Sequence, residues 1–219
     1  MLDRRNPLRR ERVFASIEQR PNIEPALPEI SDVLKTIGRL YLRIFGWQSE
    51  GGRPVESKYI LIAAPHTSNW DLPHMMALAW AYEMKVSWMG KHVLFKWPHG
   101  PLMRWLGGIS IHRETRNDRV KLMADEFEGR DQFVLIVPAE GTRGYTANWK
   151  SGFYHIARQA GVPIVMGYLD FERKRGGFGP ALMPTDDMRS DMDQIRAFYK
   201  DKVGKRPELF GPVRLKEEM

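Results

Sequence analysis

The sequence contains no cysteine. This absence excludes disulfides, thiolate ligands for a metal ion and a cysteine nucleophile. The Gly-x-Ser-x-Gly pattern, which places a nucleophilic serine on a sharp turn after a strand, is absent as well. The chain therefore offers neither of these two routes to a covalent intermediate.

Long hydrophobic runs are also missing. No run reaches the roughly 18 apolar residues that a membrane-spanning helix needs, and the charged N-terminus has no apolar core of a signal peptide. A chain of 219 residues with 42% hydrophobic residues and a mean hydropathy of -0.45 can bury one substantial core. We therefore expect a soluble or surface-bound protein in the cytoplasm.

Acidic residues are outnumbered by basic ones, 27 against 34, so the formal net charge is +7. This charge favours acidic partners, namely nucleic acid, anionic lipid or phosphorylated substrates. The chain shows no recognised nucleic-acid motif, and lipid phosphates account for the charge equally well. We therefore expect lipid rather than nucleic acid as the partner.

The first 30 residues differ from the rest. They are basic and interrupted by Pro21, Pro25 and Pro28, with a short helix predicted over Phe14–Gln19. We expect a solvated arm at 1–30, followed by one domain at 31–219.

The stretch Ser31–Phe45 is predicted to be a helix with Ser31 as its N-cap. Apolar residues recur on it at helical spacing, and Lys35, Arg39 and Arg43 lie elsewhere on the helical wheel. A basic amphipathic helix followed by Trp47 can lie in a membrane interface. Packing on the domain explains the same pattern, and the sequence leaves both interpretations open.

Predicted strands and helices then alternate. The strands are expected at 59–64, 85–89, 109–111, 133–137 and 162–169, and the helices at 72–84, 102–106, 118–128, 152–160 and 187–203. Glu172–Gly179 is interpreted as a basic, glycine-rich turn. Alternation of this kind predicts an α/β fold with a mostly parallel sheet flanked by helices, preceded by the amphipathic helix.

A histidine and an aspartate follow the first of these strands. His66 and Asp71 lie on the loop that leads into the helix at 72–84. His66 can act as a general base near neutral pH, and Asp71 can hold its imidazole in one tautomer. Two other interpretations remain: Asp71 as an N-cap with His66 as a loop residue, and a metal site that adds His74.

Other loops after strands carry Lys91, Arg113 and the stretch Glu140–Arg143. Loops after parallel strands share one edge of a sheet, where ligands bind in open α/β folds. Arginine binds phosphate with a planar fork and lysine as a point charge. We therefore expect a phosphate-binding pocket that contains Lys91, Arg113 and Arg143.

The chain resembles the glycerolipid acyltransferase family, which is typified by lysophosphatidic acid acyltransferases. His66–Asp71 matches the family's His-x4-Asp (HX4D) signature, and Glu140–Arg143 matches its Glu-Gly-Thr-Arg block. Gly161–Val165 resembles a further block. The remaining block is matched at Gly90, Lys91, Leu94, Phe95, Pro98, Gly100, Gly108, Ile109, Ile111 and Arg113.

This resemblance implies transfer of a fatty acyl group from acyl-CoA or acyl carrier protein to a lysophospholipid hydroxyl, without a cofactor or metal. His66 would be the base and Asp71 its partner. The substrate-binding residues it implies are Lys91, Arg113, Glu140, Gly141, Thr142 and Arg143. It places the enzyme on the inner face of a membrane.

Two alternatives remain open. One is the same chemistry on another acceptor, such as a lyso-aminolipid or glycerol 3-phosphate. The other is a phospholipid-binding module without turnover.

Overall fold

A computed structural model of the chain describes residues 31–111 and 116–218. The arm at 1–30, the helix predicted at Phe14–Gln19 and Arg113 lie outside the described residues. Throughout the described part of the chain, no helix is both long enough and apolar enough to cross a membrane.

The described strands form one seven-stranded sheet, in the order β1-β7-β6-β2-β5-β3-β4. All neighbouring pairs are parallel except β6 with β7. The strands are β1 (Gln48–Glu50), β2 (Lys58–Ala63), β3 (Ser87–Lys91), β4 (Gly108–Ile111), β5 (Phe133–Val137), β6 (Ile164–Asp170) and β7 (Arg175–Leu182). The predicted mostly parallel α/β fold is confirmed.

Helices cover both faces of this sheet. They are α1 (Asp32–Ile44), α2 (Asp71–Ala81), α3 (Gly100–Trp105), α4 (Arg116–Glu128), α5 (Gly152–Ala160) and α6 (Met188–Tyr199). Short 3-10 turns occur at His92–Phe95, Pro207–Leu209 and Lys216–Glu218.

Alternate residues of β2 enter two different cores. Ile60 and Ile62 join the core that contains residues of α4, α5 and α6, and Tyr59 and Leu61 join the core that contains residues of α2. Successive side chains of a strand point to opposite faces, so a central strand must be apolar at every position. This double burial fixes β2, and with it the start of the loop that carries His66.

One sequence interpretation is wrong. Within the predicted turn Glu172–Gly179, residues from Arg175 onward belong to strand β7, which is antiparallel to β6. The glycines serve close packing of strands rather than a turn: a Cβ on Gly177 would lie 2.2 Å from the carbonyl oxygen of Glu50 in β1. Strand β1 itself was not predicted.

Helix α1 begins as predicted, with the Ser31 hydroxyl accepting the Leu34 N–H at 3.4 Å. Its face with Gly38 and Leu42 is buried, and α1 packs on α2. Four apolar residues remain exposed along the opposite side: Val33, Ile37, Leu40 and Ile44. Packing on the domain therefore explains the buried face of this helix, and it leaves the exposed apolar residues on the other face unexplained.

The contact between α1 and α2 depends on Gly38. A Cβ at this position would lie 2.6 Å from the Ala77 carbonyl oxygen and 3.1 Å from Trp80 Cβ. We expect Gly38→Ala to destabilise the protein by about 1–3 kcal/mol in chemical denaturation, although alanine favours a helix. Gly152→Ala in α5 is the matched control, because its Cβ meets nothing within 4 Å. Equal stability of the two variants would contradict this close approach of the helices.

Candidate active site

The candidate site lies where β2 and β5 end. These strands are parallel neighbours, with Ile62 opposite Val137. The loop after β2 carries His66, and the loop after β5 carries Glu140. Parallel pairing therefore brings together two residues that are 74 positions apart.

His66 and Asp71 are in direct contact. The distance between His66 Nδ1 and Asp71 Oδ2 is 3.0 Å. In a neutral imidazole, the nitrogen that faces the carboxylate carries the proton, so the lone pair lies on Nε2. Asp71 is buried, and the same Oδ2 accepts the Ser68 N–H at 3.0 Å. The arrangement holds the ring with Nε2 available as a base.

Asp71 is not the N-cap of α2. It is the first helical residue, and the cap position belongs to Trp70, whose side chain makes no capping bond. The Asp71 carboxylate turns back onto its own loop instead. This turn is closed further by the Ser68 hydroxyl, which accepts the Trp70 N–H at 3.1 Å.

Glu140 supports His66 from the other loop. Its side chain is 1% exposed, and its two carboxylate oxygens accept the backbone N–H of His66 at 3.0 and 3.1 Å. Burial raises the pKa of Glu140 to about 7, against the opposing effect of this hydrogen bond. A buried carboxylate thus fixes the backbone that carries the candidate base.

His74 lies in an aromatic cluster. Its ring centroid is 4.5–6.1 Å from those of five side chains, namely Tyr41, Phe45, Trp47, Trp70 and Phe171. Burial lowers the pKa of His74 to about 4, with nearby Lys205 adding to the effect. Within residues 31–111 and 116–218, no three His, Asp or Glu side chains are grouped so that they could hold a metal ion.

The rest of the Glu-Gly-Thr-Arg stretch is exposed. Gly141 has a φ of +69°, a backbone conformation that favours glycine. The Thr142 hydroxyl accepts the Gly144 N–H at 3.2 Å. The Arg143 guanidinium donates to the Asn69 side-chain oxygen, so Arg143 lies against the loop between His66 and Asp71.

Lys91 stands farther away. It is the exposed last residue of β3, and β5 lies between β3 and β2. Two strand spacings separate it from β2 by roughly 10 Å. Lys91 pairs with Ile111, the last residue of β4, two positions before Arg113.

Sequence reasoning missed a contribution from the C-terminal part of the chain. The Arg206 N–H donates to the Thr67 hydroxyl at 3.1 Å, and Lys205 Nζ lies 5.2 Å from the ring centroid of Trp70. Thr67 and Trp70 stand inside the His-x4-Asp stretch, which is the signal that could have marked them. No local pattern connects that stretch with Lys205 and Arg206.

Comparison with known proteins identifies relatives of the chain. The chain is 28% identical over 142 residues to a 1-acyl-sn-glycerol-3-phosphate acyltransferase of Haemophilus influenzae, a match that covers 61% of this chain and 58% of the relative. The chain thus spans less than two thirds of that relative's length.

A solved structure shares the fold. The 1-acyl-sn-glycerophosphate (LPA) acyltransferase PlsC from Thermotoga maritima matches with a TM-score of 0.54 and 16% identity, over 80% of each chain.

The Acyltransferase family model matches residues 48–167, which is more than half of the 219-residue chain and includes His66, Asp71 and Glu140. The chain therefore belongs to the acyltransferase family.

Proposed function

We propose that the protein transfers a fatty acyl group from an acyl thioester to the hydroxyl of a lysophospholipid resembling lysophosphatidic acid. The observation that carries this proposal is the 3.0 Å contact between His66 Nδ1 and Asp71 Oδ2 at the carboxyl ends of the strands. The name of the Haemophilus relative supports this acceptor.

In this mechanism the acceptor hydroxyl donates its proton to His66 Nε2 while its oxygen attacks the thioester carbonyl. Asp71 stabilises the resulting imidazolium. The tetrahedral intermediate then expels the thiolate, which takes up the proton from His66, and the ester bond remains. A thioester is already activated and its thiolate leaves readily, so a base and correct positioning of the reactants carry the reaction.

The exposed loop Gly141–Arg143 would contact the acceptor headgroup. Arg143 is the best-placed cation, because its bond to Asn69 holds it beside the dyad. Lys91 would bind at the far side of the pocket, and Arg113 remains a prediction from the resemblance. The domain would comprise residues 31–219.

Glu140 has a different role in this proposal. The resemblance assigns it to the acceptor, but its carboxylate is buried and engaged with the His66 N–H. We assign it to positioning of the base. The acceptor could reach this carboxylate only by displacing that hydrogen bond.

The acceptor is an amphiphile, so the enzyme would meet it at a membrane surface. The exposed stripe on α1 is one candidate contact. Arg39 and Arg43 of α1 are exposed, whereas Lys35 is paired with Glu83. Apolar residues with adjacent cations are typical of helices that lie in an anionic interface.

A second exposed apolar group lies near α1. Residues 84–113 contain no Asp or Glu. This segment exposes Val93, Leu94, Trp97, Leu102 and Trp105, with Trp97 88% exposed. The Trp105 ring lies 6.0 Å from that of Trp80, which packs beside Gly38 of α1. Both groups would face the inner side of a cytoplasmic membrane.

Acyl-CoA and acyl carrier protein are both compatible donors, and the proposed chemistry uses no cofactor.

The test of this function is acceptor-dependent thiol release by purified protein, with product mass determined for a panel of lysolipids. We expect His66→Ala to lose about 100- to 10,000-fold in turnover, the usual cost of removing a general base. Asp71→Asn should reduce turnover strongly, because the imidazolium loses its partner.

His99→Ala serves as the control, since His99 is an exposed histidine outside the site. Wild-type turnover in His66→Ala would refute the mechanism. Turnover with only a lyso-aminolipid or glycerol 3-phosphate would show that this compound is the acceptor, in place of a lipid resembling lysophosphatidic acid. Lipid binding without any product would favour the non-catalytic module.

Glu140 generates a pH-dependent prediction. Its pKa is 4.5 in the unfolded chain and about 7 in the fold, so the folded protein holds a proton that the unfolded chain has lost between these values. Its contribution to stability is therefore complete below pH 4.5 and falls as pH rises through 7. We expect Glu140→Gln to gain stability relative to the wild type as pH rises from 4.5 to 7, measured by urea denaturation. A pH-independent difference between the two proteins would contradict the raised pKa.

The stripe on α1 generates a prediction for membrane binding. Ile37→Asp with Leu40→Asp should weaken sedimentation with phosphatidylglycerol vesicles and leave the melting temperature nearly unchanged, because both side chains are exposed. The control is Val55→Asp with Met183→Asp, which alters two exposed apolar residues elsewhere. Binding should also weaken with salt. Unchanged vesicle binding would place the contact elsewhere, and a large loss of stability would show that the stripe is covered by protein.

A further inference from the structure

The segment Gly204–Arg206 packs directly on the loop that carries the dyad. Gly204 is buried, and a Cβ there would lie 2.7 Å from Thr67 Oγ1 and 2.9 Å from Pro65 Cβ. The next contact is the bond from the Arg206 N–H to the Thr67 hydroxyl. This segment lies beyond residues 48–167, the part matched by the family model.

Close packing of the segment brings two cations to the site. Lys205 Nζ lies 5.2 Å from the ring centroid of Trp70 and 5.5 Å from that of Phe171, which is within cation–π range. The side chain of Arg206 is exposed, while its backbone is held by Thr67. Arg143 approaches the same loop through Asn69. Three of the four residues between His66 and Asp71 thus contact a basic residue.

These cations have no acidic partner in the described part of the chain. Neither Lys205, Arg206 nor Arg143 belongs to an ion pair there. The two carboxylates of the site, Asp71 and Glu140, are buried and bonded to the loop of His66. Among residues 31–111 and 116–218, the positive charge at this loop is therefore not offset by an ion pair.

We propose that Lys205 and Arg206 bind a substrate phosphate beside the dyad, next to the loop that Arg143 also contacts. The inference rests on the proposed acyl transfer and adds residues from the C-terminal segment to its substrate site. Lysine supplies a point charge and arginine a fork of donors, a combination suited to a phosphate group.

Two substrates can supply that phosphate. It is either the phosphomonoester of the acceptor or a phosphate of the donor carrier. The aromatic faces under Lys205 favour tight binding in both cases, because a side chain that is already held loses less conformational freedom when it binds.

The test compares Lys205→Gln with Arg206→Gln, singly and together. Both variants keep the backbone bond to Thr67, so the loop should stay in place. The matched control is Lys200→Gln with Lys216→Gln, which removes two exposed charges from the same part of the chain. Melting temperatures should agree among all variants.

Kinetics with four substrate pairs locate the phosphate. The acceptors are lysophosphatidic acid and monoacylglycerol, and the donors are acyl-CoA and the phosphate-free thioester acyl-pantetheine. We expect each substitution to raise the KM of one phosphorylated substrate about tenfold or more, as expected for loss of a charge-assisted hydrogen bond. A rise confined to lysophosphatidic acid assigns the phosphate to the acceptor, and a rise confined to acyl-CoA assigns it to the donor.

A binding measurement separates this inference from the reaction itself. Calorimetric titration with inorganic phosphate requires no turnover, and sulfate-free chloride buffer is the reference. We expect the double variant to bind phosphate at least tenfold more weakly than the wild type and the control variant. Equal losses with phosphate-free substrates, or phosphate binding that the double variant retains, would overturn the proposal even if acyl transfer is confirmed. If the wild type binds phosphate through Lys205 and Arg206 but transfers no acyl group, the phosphate site is confirmed and the proposed acyl transfer is refuted.

Gly204→Ala provides a structural contrast. Its new Cβ would press on Thr67 and Pro65. We expect this variant to lose turnover with every substrate pair, phosphorylated or not. The same uniform pattern in Lys205→Gln would show that Lys205 supports the loop instead of binding phosphate.

Discussion

The hydrogen bonds between the Glu140 carboxylate and the His66 N–H hold the site together. They connect the loop after β2 with the loop after β5, and they form only if the two strands pair in the observed parallel register. Burial of β2 on both faces fixes that register, because a one-residue slip would exchange the residues of the two cores. Core packing thus determines where the imidazole stands.

The contact between Glu140 and His66 connects three titratable groups, because His66 also contacts Asp71. Asp71 raises the pKa of Glu140, whereas His66 lowers it, both by charge. In the proposed reaction His66 gains a positive charge as it takes the acceptor proton. The buried Asp71 carboxylate, 3.0 Å from the ring nitrogen, then stabilises that charge.

Much of this arrangement could be predicted from the sequence, because it depends on short-range patterns. The apolar run of β2, the helix after it and the spacing of His66 and Asp71 were sufficient to place both residues on one loop, but they left the N-cap and metal interpretations open, and the roles of the pair came from the family resemblance. The role of Glu140 was not predictable, since burial of a carboxylate depends on how two loops pack. Strand β7 was mistaken for a turn because Gly176 and Gly177 signal chain reversal locally, while in the fold they admit neighbouring side chains and strand β1. Lys205 was missed because its partner Trp70 is 135 positions earlier in the chain, so no local pattern connects the two residues.

The aromatic cluster around His74 gives the proposed membrane surface a physical connection with the dyad. Tyr41 of α1 and Phe45 just after it contact the His74 ring, and His74 lies one turn after Asp71 on α2. The end of α1 therefore packs against the turn that holds the Asp71 carboxylate. Burial lowers the pKa of His74 to about 4, so its ring is neutral at physiological pH, and the charge at this cluster is that of Lys205 over the Trp70 and Phe171 rings. An amphiphilic acceptor arriving along α1 would meet the aromatic side chains of this cluster and, at Trp70 and Phe171, the Lys205 cation, which suits an acyl chain followed by a phosphate.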